Sequence, residues 1–200
     1  MPIPISEVAR RADLFFLSAS PIHEAMRRLN QTLVDMKIPF AVAGAMAANA
    51  HGHRRTTADV DILIRGEDLQ RFKEQHIGRG WVNKFEGSKN FRDGVAGVDV
   101  DALIAGQFPG DGKPKPIAFP DPIDVAETHE DGIPYISLPT LLTLKIASGM
   151  TAAHRPRDLD DAIQLIRINQ LDRDFAAGLN PFVQEKFVEL WQASKIEDDY

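Results

Sequence analysis

The 200-residue chain contains no cysteine, and this absence excludes several kinds of chemistry. Without a thiol the protein forms no disulfide, uses no thiolate nucleophile and binds no zinc through cysteine. Apolar residues make up 44% of the chain and charged residues 26%, a globular balance that excludes a disordered or collagen-like polymer. The composition fits a reducing compartment, and we expect one cooperative folding unit.

Long apolar runs are also missing. The segment from Met1 to Phe16 mixes prolines and charged residues with apolar ones, which is not typical of a signal peptide. No other stretch approaches the roughly 20 apolar residues that a membrane span needs. The sequence therefore predicts a soluble cytoplasmic protein with no membrane partner.

Positive charge is scarce, since 23 lysines and arginines are set against 29 acidic residues and the formal net charge is -6. This balance argues against broad electrostatic capture of nucleic acid. A local basic patch would still allow an RNA acceptor, so net charge alone leaves the partner open.

Hydrophobic periodicity predicts mixed strands and helices before Ser137 and helices alone after it, with no internal repeat. The first helix is expected to begin at Ser20-Pro21 and to run to about Lys37. The predicted strands are Phe40–Ala43, Asp59–Ile64, Trp81–Phe85, a hairpin of Asn90–Arg92 with Val98–Ile104, and Ile133–Ser137. The other predicted helices are Ala45–Ala50, Glu67–Gln75, Thr140–Ser148, Asp158–Ile168 and Phe182–Ala193.

The segment from Gly106 to Pro122 differs in composition from the rest of the chain. It is rich in glycine, proline and aspartate, which predicts a long surface loop. We consider this loop a candidate lid beside the functional site.

Two carboxylates one residue apart are the strongest chemical signal in the chain. Asp59 and Asp61 lie in a predicted strand, so both side chains emerge on the same face. Their mutual repulsion is relieved by a cation, and carboxylate oxygens are ligands that magnesium prefers. A third carboxylate, Asp101 or Asp99, on a neighbouring strand would complete a two-metal arrangement. An isolated pair of this kind more often marks a hydrated strand end.

A glycine upstream of the pair adds a second feature. Gly44 lies between a predicted strand and a short helix, where free backbone N–H groups can receive a phosphate. A phosphate held between a helix start and metal ions fits phosphoryl-group transfer. The competing interpretation is an ordinary strand-to-helix turn.

The spacing of these features resembles a known signature. Gly44-Ala45, thirteen residues and then Asp59-Val60-Asp61 resemble the signature of the polymerase-beta-type nucleotidyltransferase superfamily. Further positions resemble the branch that includes abortive-infection-type toxins and many uncharacterised bacterial proteins. These positions are Ala47, His51-Gly52, Arg55, Thr57, Val100–Gly106, Ser137–Lys145 and Arg157–Asp161. The resemblance spans most of residues 30–170.

The resemblance implies an α+β fold, with a mixed β-sheet nucleotidyltransferase core and N-terminal helices in residues 1–137 and a helical region in 138–200. It implies transfer of a nucleoside monophosphate from a nucleoside triphosphate to an acceptor hydroxyl, with release of pyrophosphate. Asp59, Asp61 and Asp101 would be catalytic and would hold Mg²⁺ or Mn²⁺. In this register Asp101 is preferred to Asp99 and helps to activate the hydroxyl. The nucleotide would meet Gly44, Ala45, Arg55, Thr57 and Lys145.

Some of these residues also have structural interpretations. Arg55 suits a triphosphate through its guanidinium but equally suits a surface ion pair. Lys145, in an otherwise apolar helix, would either reach the nucleotide or extend to water. Asp158 is expected to cap its helix, with Asp161 favouring the same N-terminus. The basic cluster of His154, Arg155 and Arg157 would meet triphosphate or an RNA acceptor, or form a solvated loop.

One position departs from the family pattern, which usually has glycine or serine where this chain has Ala45. The loss of a hydroxyl keeps a second function open, a catalytically weakened nucleotide-binding or protein-interaction module, within a toxin–antitoxin system and with an antitoxin-like protein partner. The acceptor stays open between RNA, protein and a small molecule, as does the base. His51-x-His53 near the aspartates gives a less favoured alternative, a zinc-dependent hydrolase.

Overall fold

A computed structural model describes residues 10, 12, 14, 15 and 19–196 of the chain. Its strands, in chain order, are β1 (Phe40–Val42), β2 (Asp59–Ile64), β3 (Trp81–Asn83), β4 (Phe91–Asp93), β5 (Asp99–Ile104), β6 (Ala126–Thr128) and β7 (Pro134–Ile136). Its helices are α1 (Pro21–Asp35), α2 (Gly44–Ala50), α3 (Gly66–His76), α4 (Pro122–Val125), α5 (Leu138–Thr151), α6 (Pro156–Ile168) and α7 (Pro181–Ser194), with a 3-10 turn at Arg173–Gly178. The predicted α+β class is confirmed.

The described strands form one mixed sheet in the order β3-β4-β5-β2-β1-β7-β6. The two long strands, β2 and β5, run parallel at its centre, with Asp59 opposite Asp99 and Asp61 opposite Asp101. β4 pairs with β5 in the antiparallel sense, which confirms the predicted hairpin. The sheet thus brings two acidic pairs, far apart in sequence, into adjacent rows.

A continuous apolar core joins the sheet to the helices. In β2 the side chains of Val60, Ile62 and Leu63 are fully buried, as expected for a strand covered on both faces. The helix α1 buries a stripe of Ile22, Met26, Leu29 and Leu33 at helical spacing. The same core includes Leu141, Leu165 and Phe187 from the last three helices. The domain boundary at Ser137 stays a prediction.

Several element limits differ from the expected ones. β6 was not predicted, because its three residues are too short to show a hydrophobic period. The expected cap of α6 at Asp158 is wrong: the helix begins earlier, at Pro156, with Arg155 at the N-cap position. Ser20 does precede α1, but its hydroxyl bonds to the ring of His23 and makes no capping bond. The expected loop is confirmed between Ala105 and Asp121, which contain no helix or strand.

None of the described helices combines the length and the apolar character that a membrane crossing requires.

Candidate functional site

The candidate site is a cavity of about 270 Å³ between the sheet and the C-terminal helices. Its sheet wall is formed by β2 and β5, and its helical wall by α5 and α6. All eight predicted site residues line it: Gly44, Ala45, Arg55, Thr57, Asp59, Asp61, Asp101 and Lys145. A larger cavity, of about 740 Å³, lies between α1, α2 and the β6–β7 hairpin and contains none of them. The structure therefore brings the predicted residues together, while their roles stay predictions.

The carboxylates of the sheet wall are close enough to influence one another. Asp59 and Asp61 alternate with a buried valine on β2, and Asp101 lies beside Asp61 on β5. Burial, together with the charges of Asp59 and Asp101, raises the pKa of Asp61 to about 7, against weaker opposition from Lys145 and Arg155. The sheet wall therefore concentrates negative charge that the protein only partly neutralises.

A hydrogen bond from Thr57, two residues earlier in the chain, holds Asp59 in place. The hydroxyl of Thr57 donates to Oδ1 of Asp59 at 2.6 Å. This bond orients the first carboxylate of the pair. Thr57 thus has a positioning contact that the sequence did not predict.

Gly44 lies directly against Asp61. Its φ is +58°, in the left-handed region, and a Cβ at this position would fall 1.8 Å from Oδ2 of Asp61. The preceding residue, Ala43, donates its N–H to the carbonyl oxygen of Asp61 at 2.8 Å. The turn from β1 into α2 is therefore tied to the carboxylate strand, and both the backbone angle and the space require glycine.

The helical wall is organised around Asp161, whose side chain is only 1% exposed. Nη1 of Arg55 donates to both oxygens of Asp161, at 2.7 and 2.6 Å, and Nε2 of His53 lies 3.2 Å from Oδ1. The ammonium of Lys145 also contacts Asp161. Burial opposes ionisation of Asp161, but Lys145 and Arg55 hold its pKa below its ordinary value.

Lys145 is buried and does not extend to bulk water, with 7% of the residue exposed. Besides Asp161 it donates to Oδ1 of Asp158 at 3.1 Å. The other oxygen of Asp158 accepts from the hydroxyl of Ser148 at 2.7 Å. Asp158 therefore joins α5 to α6, in place of the capping role expected for it.

The spacing of four polar residues in the sequence is a signal for this network. Lys145 and Ser148 are three residues apart on α5, and Asp158 and Asp161 are three apart on α6. Residues at this spacing share a helix face, so the two pairs are complementary in charge and hydrogen bonding. Arg155 and Arg157, from the predicted basic cluster, also line the cavity.

Asp99 and Asp101 have different surroundings, although both lie on β5. Asp99 pairs with Nε of Arg92 at 2.6 Å and with Nζ of Lys84 at 3.1 Å. The hydrogen bonds from Arg92 and Lys84 hold the pKa of Asp99 below its ordinary value. Asp101 lines the cavity and is bonded to Nζ of Lys84 at 3.0 Å, whereas Asp99 is absent from the lining. The structure thus places Asp101 at the site and Asp99 in an ion-pair network beside it.

The fit of a divalent cation depends on the carboxylates of the sheet wall. Across the described residues, no group of three or more histidine, aspartate or glutamate side chains is arranged to hold a metal ion. One oxygen of Asp101 is engaged by Lys84. The donor chemistry nevertheless suits Mg²⁺ or Mn²⁺, because carboxylates of β2 and β5 line one cavity, where burial and the charges of Asp59 and Asp101 raise the pKa of Asp61.

The two histidines of His51-x-His53 point to separate partners. His51 lies at the C-terminal end of α2, and its Nε2 donates to the carbonyl oxygen of Ile136 at 2.8 Å. His53 contacts Asp161, as described above. Neither histidine lines the cavity, so the geometry gives no support to a zinc site built from the pair.

The fold and the site together define an α+β protein with a carboxylate-lined sheet wall that faces a cationic helical wall. No protein-family model matches the chain, and no curated protein matches its sequence. Any inference of function therefore depends on the geometry of the cavity and on the resemblance of its motifs to the nucleotidyltransferase signature.

Proposed function

We propose that this protein is a metal-dependent nucleotidyltransferase that moves a nucleoside monophosphate from a nucleoside triphosphate to an acceptor hydroxyl. The observation that carries the proposal is the meeting of Asp59, Asp61 and Asp101 at one cavity, against the Gly44 turn. Three carboxylates from two parallel strands are costly to assemble without a cation, and burial together with the charges of Asp59 and Asp101 raises the pKa of Asp61.

The cations around the cavity support a triphosphate as the ligand. Arg55, Lys145, Arg155 and Arg157 all line it. Arg55 and Lys145 are bound to Asp161 and provide fixed positive charge, whereas Arg155 is mainly exposed and makes only a distant contact with Asp158, at 3.9 Å. Arg155 and Arg157 are therefore the cations best able to turn towards phosphate oxygens.

The chain's own residues would divide the reaction between them. Asp59, Asp61 and Asp101 would hold the divalent cation, with Thr57 orienting Asp59. Asp101 would accept the proton of the acceptor hydroxyl while the hydroxyl oxygen bonds to the α-phosphorus. The bond between the α-phosphorus and the oxygen that bridges it to the β-phosphorus breaks, and pyrophosphate leaves with the electron pair. A bound divalent cation would supply charge neutralisation for the triphosphate and a lower pKa for the hydroxyl.

A non-catalytic nucleotide-binding module is the second candidate. Two observations favour it: Ala45, which offers no hydroxyl at the cavity, and the engagement of Asp101 by Lys84. Such a module would bind nucleotide without transferring it. A toxin role with an antitoxin-like partner rests on the resemblance alone, and the acceptor class stays open.

The test is a calorimetric titration of a nonhydrolysable nucleoside triphosphate, with and without Mg²⁺, because binding does not require the acceptor. We expect magnesium-dependent binding to the wild-type protein and its loss in Asp59→Asn/Asp61→Asn. Asp99→Asn is the matched control, since Asp99 lies on the neighbouring strand but outside the cavity lining.

Binding that persists in the double variant would refute the assignment of the site. Binding lost in the double variant and kept in the control would justify a search for the acceptor with α-labelled triphosphates. Label transfer then separates the enzyme from the non-catalytic module.

A further inference from the structure

Lys84 contacts Asp101 of the candidate site, although it is not one of the eight predicted site residues. It follows the last residue of β3, and its ammonium lies 3.0 Å from Oδ1 of Asp101 and 3.1 Å from Oδ2 of Asp99. Both carboxylates are therefore neutralised in part by a single lysine.

The two carboxylates do not depend on Lys84 equally. Asp99 has a second cation, Arg92, whose Nε lies 2.6 Å from its other oxygen. Among the described residues, Lys84 is the one cation paired with Asp101. Withdrawal of Lys84 would leave Asp99 neutralised, but it would free Asp101 to interact with another cation.

The position of Lys84 in the fold allows such a withdrawal. β3 is at one edge of the sheet and pairs with β4 alone. The backbone N–H of Lys84 lies 3.5 Å from the carbonyl oxygen of Asn90, at the weak limit of a hydrogen bond. The following residue, Phe85, is 69% exposed, whereas Trp81 anchors the strand in the core. Residues 84–87 are exposed and can therefore shift, whereas the connection is anchored further along by the buried Ser88 and by Asn90, whose Oδ1 accepts from the N–H of Ala102.

We propose that Lys84 is a positioning residue that holds Asp101 through its ammonium until a divalent cation replaces it at that carboxylate. The inference rests on the proposed function, since it takes the sheet wall as the cation site. Lys84 and the divalent cation compete for Oδ1 of Asp101. Loading of the site is then coupled to release of residues 84–87.

The first test measures the affinity for Mn²⁺ alone, by calorimetry or by the resonance signal of free Mn²⁺. Lys84→Met is expected to bind Mn²⁺ about threefold to fivefold more tightly than wild type, the range of a partly exposed ion pair. Lys84→Arg, which retains the cation, is expected to stay near wild type. Lys89→Met is the matched control: Lys89 lies on the same connection, and its Nζ is 3.5 Å from Gln107 rather than near Asp101.

The second test follows hydrogen exchange in residues 84–87, the exposed part of the connection. Addition of Mn²⁺ is expected to speed exchange there in wild type, and to cause no further change in Lys84→Met. Exchange in α7, remote from the connection, serves as the internal reference.

Each outcome distinguishes this inference from the proposed function. Equal or weaker Mn²⁺ affinity in Lys84→Met, with binding still lost in Asp59→Asn/Asp61→Asn, overturns the role of Lys84 and leaves the nucleotidyltransferase proposal intact. Absence of Mn²⁺ binding in wild type and Lys84→Met alike overturns both. Tighter binding in Lys89→Met as well would indicate a general effect of lost positive charge and would also overturn the specific role of Lys84.

Discussion

The two walls of the cavity surround an aspartate with opposite environments, around the half-buried Asp61 on one and the buried Asp161 on the other. On the sheet wall, Asp61 is beside two further carboxylates and its pKa is raised to about 7. On the helical wall, Asp161 is contacted by Arg55, Lys145 and His53, and its pKa is held below the ordinary value. The two residues share a chemical group and a cavity, so their difference comes from the neighbours that the fold supplies.

This difference separates structure from candidate function. Asp161 is satisfied by cations of the same chain, as expected of a group that joins elements of the fold. Asp61 lacks that compensation and is costly to keep ionised, as expected of a group that awaits a ligand. A buried charge that is left uncompensated is therefore the more informative sign of a functional site.

The largest effect is expected from removing the charge of Asp161. In Asp161→Asn the buried Lys145 and the half-buried Arg55 lose their shared anion, and we expect a loss of about 3–5 kcal/mol in the free energy of unfolding. Urea denaturation followed by circular dichroism measures this loss. Asp160→Asn is the matched control, because its exposed side chain lies on the same helix. Its effect is expected to stay within about 0.5 kcal/mol.

A loss below about 1 kcal/mol in Asp161→Asn would contradict the structural role of Asp161. The two walls would then not differ in the way proposed. Equal losses in Asp161→Asn and Asp160→Asn would point instead to a general effect of charge on α6.

A loss of stability of intermediate size is expected from Gly44→Ala. In Gly44→Ala the new Cβ would collide with the carboxylate of Asp61 and would also strain a φ of +58°, so we expect a loss of about 2–3 kcal/mol. Gly87→Ala isolates the backbone cost, because Gly87 has a φ of +73° and no atom within 4 Å of the added Cβ. Thermal denaturation of both variants separates collision from strain.

A double-mutant cycle tests whether Asp61 is the partner in the collision. Gly44→Ala should cost less in an Asp61→Ala background, because the side chain that the Cβ meets is then truncated. An undiminished cost would show that the turn is constrained by its backbone alone.

The sequence predicted the site better than it predicted the network around it. Asp59, Asp61 and Gly44 were found because strand alternation and a strand–glycine–helix pattern are local features that a single sequence displays. The parallel pairing of β2 with β5, which places Asp101 beside Asp61, was reached through resemblance, since register between distant strands is set by tertiary packing.

The contacts of Lys84 and Asp161 were missed for a related reason. Lys84 reaches Asp101 across a hairpin, and Arg55 meets Asp161 from 106 positions away in sequence. Neither pairing has a local signature in the chain. The reassignment of Asp158, from a helix cap to a partner of Lys145 and Ser148, shows that a helix-start pattern can have a tertiary explanation.

The smallest change in the free energy of unfolding is expected from Asp61→Asn. This variant is expected to stabilise the protein, unlike the substitutions at Asp161 and Gly44. Its ordinary pKa of 3.8 is raised to about 7 on folding, so the folded protein binds this proton more tightly than the unfolded chain does. The stability linked to that proton is fully present below about pH 4 and is lost as pH rises through 7. At pH 8 the folded state therefore carries the cost of an ionised Asp61, and Asp61→Asn removes it.

We expect Asp61→Asn, measured with a chelator present, to be more stable than wild type at pH 8 by about 1–2 kcal/mol, a discounted value because the side chain is partly exposed. The difference should shrink between pH 7 and pH 4, as wild-type Asp61 takes up its proton. Asp99→Asn is the control of opposite sign: its carboxylate has a lowered pKa, so its removal should destabilise the protein at pH 8. Destabilisation by Asp61→Asn at pH 8 would mean that the sheet wall is already neutralised, and Asp61 and Asp161 would then belong to the same structural class.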